Sequence, residues 1–294
     1  KSLLARVLRP FKFLSIIKMG LTIADIVRKK QIDIIFERSQ SLGAGAIASL
    51  LTGKPLYLEV IDDQQSLLSL ILAKAIFVYT SVIIPKVFRY KAVIVTAGVN
   101  PQVFRPRNTK KLYDIGFVGA FKSWEGLEDL VEAIKILVHK KTHVTCLLIG
   151  GGERFFAIKE KIREYKLEKY IRLTGKVPIG SVAPLLNQAK IGIAPYNLAH
   201  AMSAGKFSKH GFYYWPLKIA EYLSCGLPVL ASDYPLISTI LKTPRFGHVF
   251  PPGNVPSLAA AIETMLGSLQ KWNAKNLCSY VSQYSWDRVA SDML

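Results

Sequence analysis

From residue 113 onward the chain repeats one pattern: a short apolar run ending on glycine or proline, then a stretch with helical spacing. Residues 114–119 (DIGFVG), 144–152 (VTCLLIGGG), 171–175 and 191–195 read as buried strands. Residues 124–139, 154–166, 180–187 and 259–269 read as helices, with a last helix from Trp286. Unbroken apolar strands, each followed by a helix, dictate a parallel sheet covered on both faces. Ligands of such doubly wound sheets bind beyond the carboxyl ends of the strands, which is where these glycines fall.

A similar rhythm fills the first hundred residues. Residues 33–37 (DIIFE) and 55–61 (PLYLEVI) read as strands, separated by a small-residue helix that stops at Gly53. The apolar run 66–85 approaches the length of a membrane span. Lys74 interrupts it, and its β-branched and aromatic residues gather in the second half, so we read a helix over 67–74 and a strand over 75–80. A short strand at 93–96 and a turn at 97–101 follow, and residues 104–108 (FRPRN) read as a linker. The fold class is therefore α/β, with one domain over 1–108 and a second over 109–284.

Lys and Arg number 39 against 20 Asp and Glu, a net charge of +19 that suits nucleic acid, anionic lipid or phosphorylated substrates. No nucleic-acid-binding module is recognisable, so nucleic acid is not the expected partner. Residues 1–30 hold eight Lys or Arg and a single acid, with apolar residues at a roughly helical period. The segment reads either as a basic amphipathic helix on an anionic membrane surface or as a helix packed on the fold. Three cysteines, far apart, read as thiols in a reducing compartment. No metal-ligand spacing, Walker loop or GxSxG elbow occurs, and Asp62-Asp63 is not a D-x-D pattern; no metal is expected.

The stretch 213–232 (YYWPLKIAEYLSCGLPVLAS) concentrates the candidate chemistry. We read a helix from Pro216, at its first position, to about Cys225, a stop at Gly226, and a strand over 228–231. Lys218 and Glu221 share one helix face. Lys218 beside the free N–H groups of the helix start makes a seat for a phosphate, and Glu221 is placed to accept from sugar hydroxyls. Against this stands an exposed i,i+3 ion pair on a surface helix. His200 and His210 flank the preceding segment, and the aromatics 212–215 either stack on a ligand or plug the core.

Taken in order, GFVGAFKSWEGLEDLVEA, LLIGGGE, RLTGKVP, AKIGIAPY, PLKIAEYLSCGLPVLAS and GHVFPPGN resemble the C-terminal half of the group 1 (family four) glycosyltransferases. Residues 33–60 and the linker VIVTAGVNPQVFRP resemble the second half of that family's N-terminal domain and its interdomain link. The resemblance implies two Rossmann-like domains facing a cleft (GT-B type), the first incomplete and N-terminally truncated, with the helix 285–294 crossing back toward it. It implies a retaining transferase moving a sugar from a nucleoside-diphosphate sugar to a lipid-linked or polysaccharide acceptor, without cofactor or metal. The net positive charge and the basic first segment suggest a cytoplasmic protein docked on the inner face of the cell membrane. Glu221 matches the carboxylate that binds the donor ribose and Lys218 the lysine beside the diphosphate, the two taken as catalytic. Gly119, Lys122, Gly150, Gly151, Gly175, Val177, Tyr196, Tyr213, Pro216 and Leu217 complete the implied donor site. This sequence departs from the pattern at Tyr213, which replaces the first glutamate, at Ala120, which replaces an arginine, and at Glu125, which replaces a lysine. The histidine expected near 59–62 is absent. These departures open an alternative, a relative that binds nucleotide sugars without transferring them.

Overall fold

The computed structural model describes residues 3–62, 64–199, 210–242 and 244–293. Asp63, His200 and most of the segment expected to flank the site lie outside them. Two compact units result, Lys1–Thr96 with Asp292–Leu294, and Ala97–Ser291.

In the first unit a long helix, α1 (Leu3–Lys29), precedes β1 (Ile35–Arg38), α2 (Ala44–Thr52), β2 (Leu56–Val60), α3 (Leu67–Leu72), β3 (Ala73–Val78) and β4 (Ala92–Ile94). The strands form a four-stranded sheet in the order β1-β2-β3-β4, every pairing parallel. The 66–85 run divides into α3 and β3 as expected, and among the described residues no helix is long and apolar enough to cross a membrane. The small residues of SLGAGA are explained by Glu37. Its buried carboxylate accepts from the backbone N–H of Gly43 (2.8 Å) and Ala46 (3.0 Å) and from the hydroxyls of Ser41 and Ser69. The carboxylate thereby satisfies free N–H groups at the start of α2, and a side chain at Gly45 would collide with Glu37. Helix α1 buries Ala24 and Val27 but exposes Phe13, Leu14, Leu21 and Ile26, so its apolar residues lie on more than one side.

The second unit runs β5 (Tyr113–Val118), α4 (Leu127–His139), β6 (Cys146–Ile149), α5 (Phe155–Glu164), β7 (Ile171–Leu173), α6 (Ile179–Leu186), β8 (Ala189–Ala194), α7 (Leu217–Ser224) and β9 (Val229–Ser232). It continues through α8 (Pro235–Leu241), β10 (Gly247–Phe250), α9 (Val255–Leu266), α10 (Ala274–Val281) and α11 (Trp286–Met293). Its six strands are all parallel in the order β10-β9-β8-β5-β6-β7. This is the doubly wound Rossmann order, in which the chain reverses direction across the sheet between β5 and β8. Leu147 and Ile149 join one buried cluster and Cys146 and Leu148 the other, as alternate residues of a strand covered on both faces must.

The segment read as a free linker packs into this unit. Val99 and Phe104 are buried in its core, and Ser224 donates through its hydroxyl to the Phe104 carbonyl at 2.5 Å. The buried Asn187 amide accepts from the N–H of Arg107 (2.8 Å) and donates to the carbonyls of Arg105 (3.1 Å) and Ala183 (2.9 Å). The compact unit therefore begins at Ala97 rather than 109.

Candidate functional site

The switch point between β5 and β8 is where the two strands part. Their ladder pairs Ile115 with Ile191 and Gly116 with Gly192. Beyond it the hydroxyl of Tyr222, a buried residue of α7, fills the gap: it accepts from the N–H of Val118 (3.0 Å) and donates to the carbonyl of Ile193 (3.0 Å). Tyr222 thereby pins α7 across the carboxyl ends of both strands.

Pro216 caps α7 from just outside, one position earlier than its expected place inside the helix. The helix ends as the sequence predicts. Gly226 adopts a positive φ of 73°, with Gly226 N–H donating to the Leu223 carbonyl (2.9 Å) and Leu227 N–H to that of Tyr222 (3.0 Å), the paired bonds of a Schellman stop.

Lys218 leaves the first turn of α7 and is buried, 8% exposed. Its ammonium is ion-paired with the carboxylate of Glu125. It lies over the rings of Phe117 (4.3 Å) and Tyr196 (4.8 Å), and against the backbone at Gly119, where an added Cβ would stand 3.1 Å from Nζ. The reading of Lys218 and Glu221 as an exposed surface pair is thus overturned: the lysine points into the switch point and takes its partner from another element. Glu221, one turn on and half-buried, makes no side-chain hydrogen bond to the described residues. Burial raises its pKa from 4.5 to about 7, and the Lys218 charge opposes that rise.

The glycines expected to line the site meet here. Gly119 N–H donates to the Ile149 carbonyl (3.1 Å), and Gly150 N–H to the Gly175 carbonyl (3.1 Å) and the Thr174 hydroxyl (3.3 Å), so strand ends β5, β6 and β7 are tied together. Gly151 accepts from Phe121 N–H at 3.1 Å. A cavity of about 270 Å3 opens beside Lys218, lined by Trp124, Glu125, Tyr196, Phe212, Tyr214, Trp215 and Leu217. The aromatic run 212–215 therefore divides. Tyr213 is buried and stacked on Tyr214 at 4.6 Å, and Tyr214, not Tyr213, lines the cavity.

Lys122 pairs with Glu153 at 3.4 Å, and Val177 packs against the core cluster of Leu147 and Val182. The sequence marks Glu125 only as a departure from the family pattern, not as the partner of Lys218. Glu125 stands 93 positions from Lys218, and only the proximity of strand ends β5 and β8 brings the two together.

With the geometry in place, comparison with known proteins gives the class. The model of the group 1 glycosyl transferases matches residues 113–268, more than half of the chain, and the chain belongs to that family. Among curated proteins it is 25% identical over 168 residues to the amylovoran biosynthesis glycosyltransferase AmsK of Erwinia amylovora, covering 56% of this chain and 39% of that one. It is likewise 25% identical over 174 residues to the phosphatidyl-myo-inositol mannosyltransferase of Mycobacterium leprae, covering 58% and 42%. The matched stretch thus spans about two fifths of those relatives' length. Among solved structures, Anabaena Alr3699/HepE in complex with UDP superposes with a TM-score of 0.77 at 16% identity, over 93% of this chain and 80% of that one. A glycosyltransferase of Rickettsia africae gives 0.72 at 20% identity, over 95% and 79%. These likenesses establish the GT-B glycosyltransferase fold.

Proposed function

We propose that this chain is the donor-binding part of a retaining glycosyltransferase that moves a sugar from a nucleoside-diphosphate sugar to a lipid-linked or polysaccharide acceptor. The observation that carries the reading is the placement of Lys218 at the β5/β8 switch point, against Gly119, with Glu221 one turn behind it. Ligands of doubly wound sheets bind at this place. The UDP complex of the similar Anabaena protein supports a nucleoside diphosphate as the ligand.

In this reading the start of α7 and the Lys218 ammonium hold the diphosphate, and Glu221 accepts from the ribose hydroxyls. Gly119 lets the phosphates approach the strand end, Gly150, Gly151 and Gly175 shape the adjoining wall, and Tyr196, Pro216 and Leu217 close the sugar side. In the reaction the C1–O bond to the diphosphate breaks, and a bond from the acceptor hydroxyl forms on the same face of the sugar. The hydroxyl proton leaves with the diphosphate. Lys218 meets the charge growing on the departing oxygen, so it stabilises the transition state more than the bound donor. The scheme uses neither metal nor cofactor.

The acceptor reading draws on α1. Phe13 and Leu14 are 64% and 61% exposed on a helix that also carries Lys18, Arg28 and Lys29, a combination suited to an anionic lipid surface. Partitioning onto anionic vesicles that is unchanged when the Lys and Arg of residues 1–30 are neutralised contradicts it.

The transfer itself is tested by incubating the protein with nucleoside-diphosphate sugars and a lipid extract, following nucleoside diphosphate release and the anomeric configuration of the product by NMR. Retention, with release lost in Lys218→Ala, is the expected result. An inverted product, or release indifferent to Lys218, contradicts the proposal.

A further inference from the structure

We propose that Glu125 is a built-in counter-anion for Lys218: in the unliganded protein its carboxylate takes the place at the ammonium that the donor diphosphate takes on binding. The inference rests on the assignment of Lys218 to the diphosphate. Glu125 then acts through Lys218, as a positioning residue that sets how tightly this chain holds its donor.

Among the described residues the Lys218 ammonium has one anion in contact, the carboxylate of Glu125. Its other neighbours are the faces of Phe117 and Tyr196 and the backbone at Gly119. An ammonium enclosed in this way needs a compensating charge, and removing its partner leaves it buried alone. Glu125, itself 7% exposed, supplies that charge and makes no other side-chain hydrogen bond or ion pair among the described residues. Both groups line the same 270 Å3 cavity, so a ligand that reaches the ammonium also meets the carboxylate.

The backbone beneath Glu125 is fixed. Its N–H donates to the Lys122 carbonyl at 3.1 Å. The next residue, Gly126, has a φ of 65° and lies so close to β8 that a Cβ would stand 1.7 Å from the Pro195 oxygen. The turn has no room for a side chain at Gly126, and the carboxylate yields to a ligand by side-chain rotation. A diphosphate carries more charge than one carboxylate and displaces it, yet it must break the existing pair and then sit near the displaced carboxylate. Donor affinity is therefore held below what Lys218 alone would give.

The test titrates UDP and, as a probe independent of the base, inorganic pyrophosphate into wild type, Glu125→Gln, Lys218→Met and the double variant, at several salt concentrations. Glu125→Gln is expected to bind both probes about tenfold tighter, the size of one lost competing charge in a partly desolvated pocket. Its affinity is also expected to fall more steeply with salt, and the gain to vanish in the double variant. A role confined to packing gives no gain in affinity. Binding by Glu125→Gln that is equal to or weaker than wild type, while Lys218→Met loses binding, overturns this inference and leaves the donor site standing. Absence of binding in both wild type and Glu125→Gln overturns the donor-site reading and this one with it. Where Glu125→Gln does not fold, Glu125→Asp carries the test: the shorter carboxylate loosens the pair and binding tightens by a smaller factor, and unchanged or weaker binding overturns the inference.

Discussion

Replacing Tyr222 by Phe removes one oxygen from the interior and tests whether the switch point is held open by that hydroxyl. The tyrosine ring stays, because it fills the space over Gly192, where a Cβ would come within 2.4 Å of it. What is lost is the bond accepted from Val118 N–H and the bond donated to the Ile193 carbonyl, each 3.0 Å. A typical hydrogen bond contributes about 0.5–1.5 kcal/mol net, and a buried group left unpaired costs about 1–3 kcal/mol. Val118 is only partly buried, so water recovers some of its share, whereas the Ile193 carbonyl is buried. The variant should lose about 2–4 kcal/mol, a fall in Tm of roughly 5–15 °C for a unit of this size. Because Tyr222 is next to Glu221 and one turn from Lys218, donor binding should weaken together with stability. Thermal and urea unfolding of the two proteins decide it. A Tm within about 1 °C of wild type would refute the claim that this hydroxyl bridges the parted strands.

Two other consequences are open to measurement. Glu221 has a folded pKa near 7, above its ordinary 4.5, so the folded state holds a proton that the unfolded state has released between those values. Stability of the unliganded protein should fall as pH rises from about 4.5 to 7, and Glu221→Gln should abolish that slope; parallel Tm–pH curves would contradict the assignment. Donor binding, which uses the ionised carboxylate, should weaken as pH drops below 7. Asn187→Ala should release the 97–108 segment and cost about 2–4 kcal/mol through the unpaired backbone groups of Arg105 and Arg107. Trypsin should then cut after Arg107, the one of the two arginines not followed by proline, faster than in wild type, and unchanged cleavage would show that Asn187 does not hold the segment.

Most of the second unit's sheet was legible because its inner strands, β6, β8 and β9, are buried almost throughout and so read as apolar runs. The stop at Gly226 was legible because a single residue type suits that backbone conformation. Helix α4 begins at Leu127 rather than 124 because Gly126 turns the chain against Pro195, a contact with β8 that local spacing does not encode. The short elements α8, β10 and α10 escaped notice, being too brief for periodicity to show. In the site, Lys218 and Glu221 were identifiable from their spacing on one helix. Their burial, and the pairing of Lys218 with Glu125, depend on which strand ends the topology brings together. The 104–108 segment reads as a linker for the same reason: its proline and arginines carry no apolar periodicity, and the amide that fastens it lies at Asn187, about eighty positions away.

The central claim, a donor site built on Lys218 and Glu221, is tested most directly by thermal shift of wild type, Lys218→Ala and Glu221→Ala against UDP, GDP, ADP and dTDP. A nucleotide that binds only the folded state, at a hundred times its Kd, adds about 2.7 kcal/mol. The account predicts that one nucleotide stabilises the wild type and that both substitutions abolish the shift. A shift that survives both, or none with any nucleotide, would contradict it.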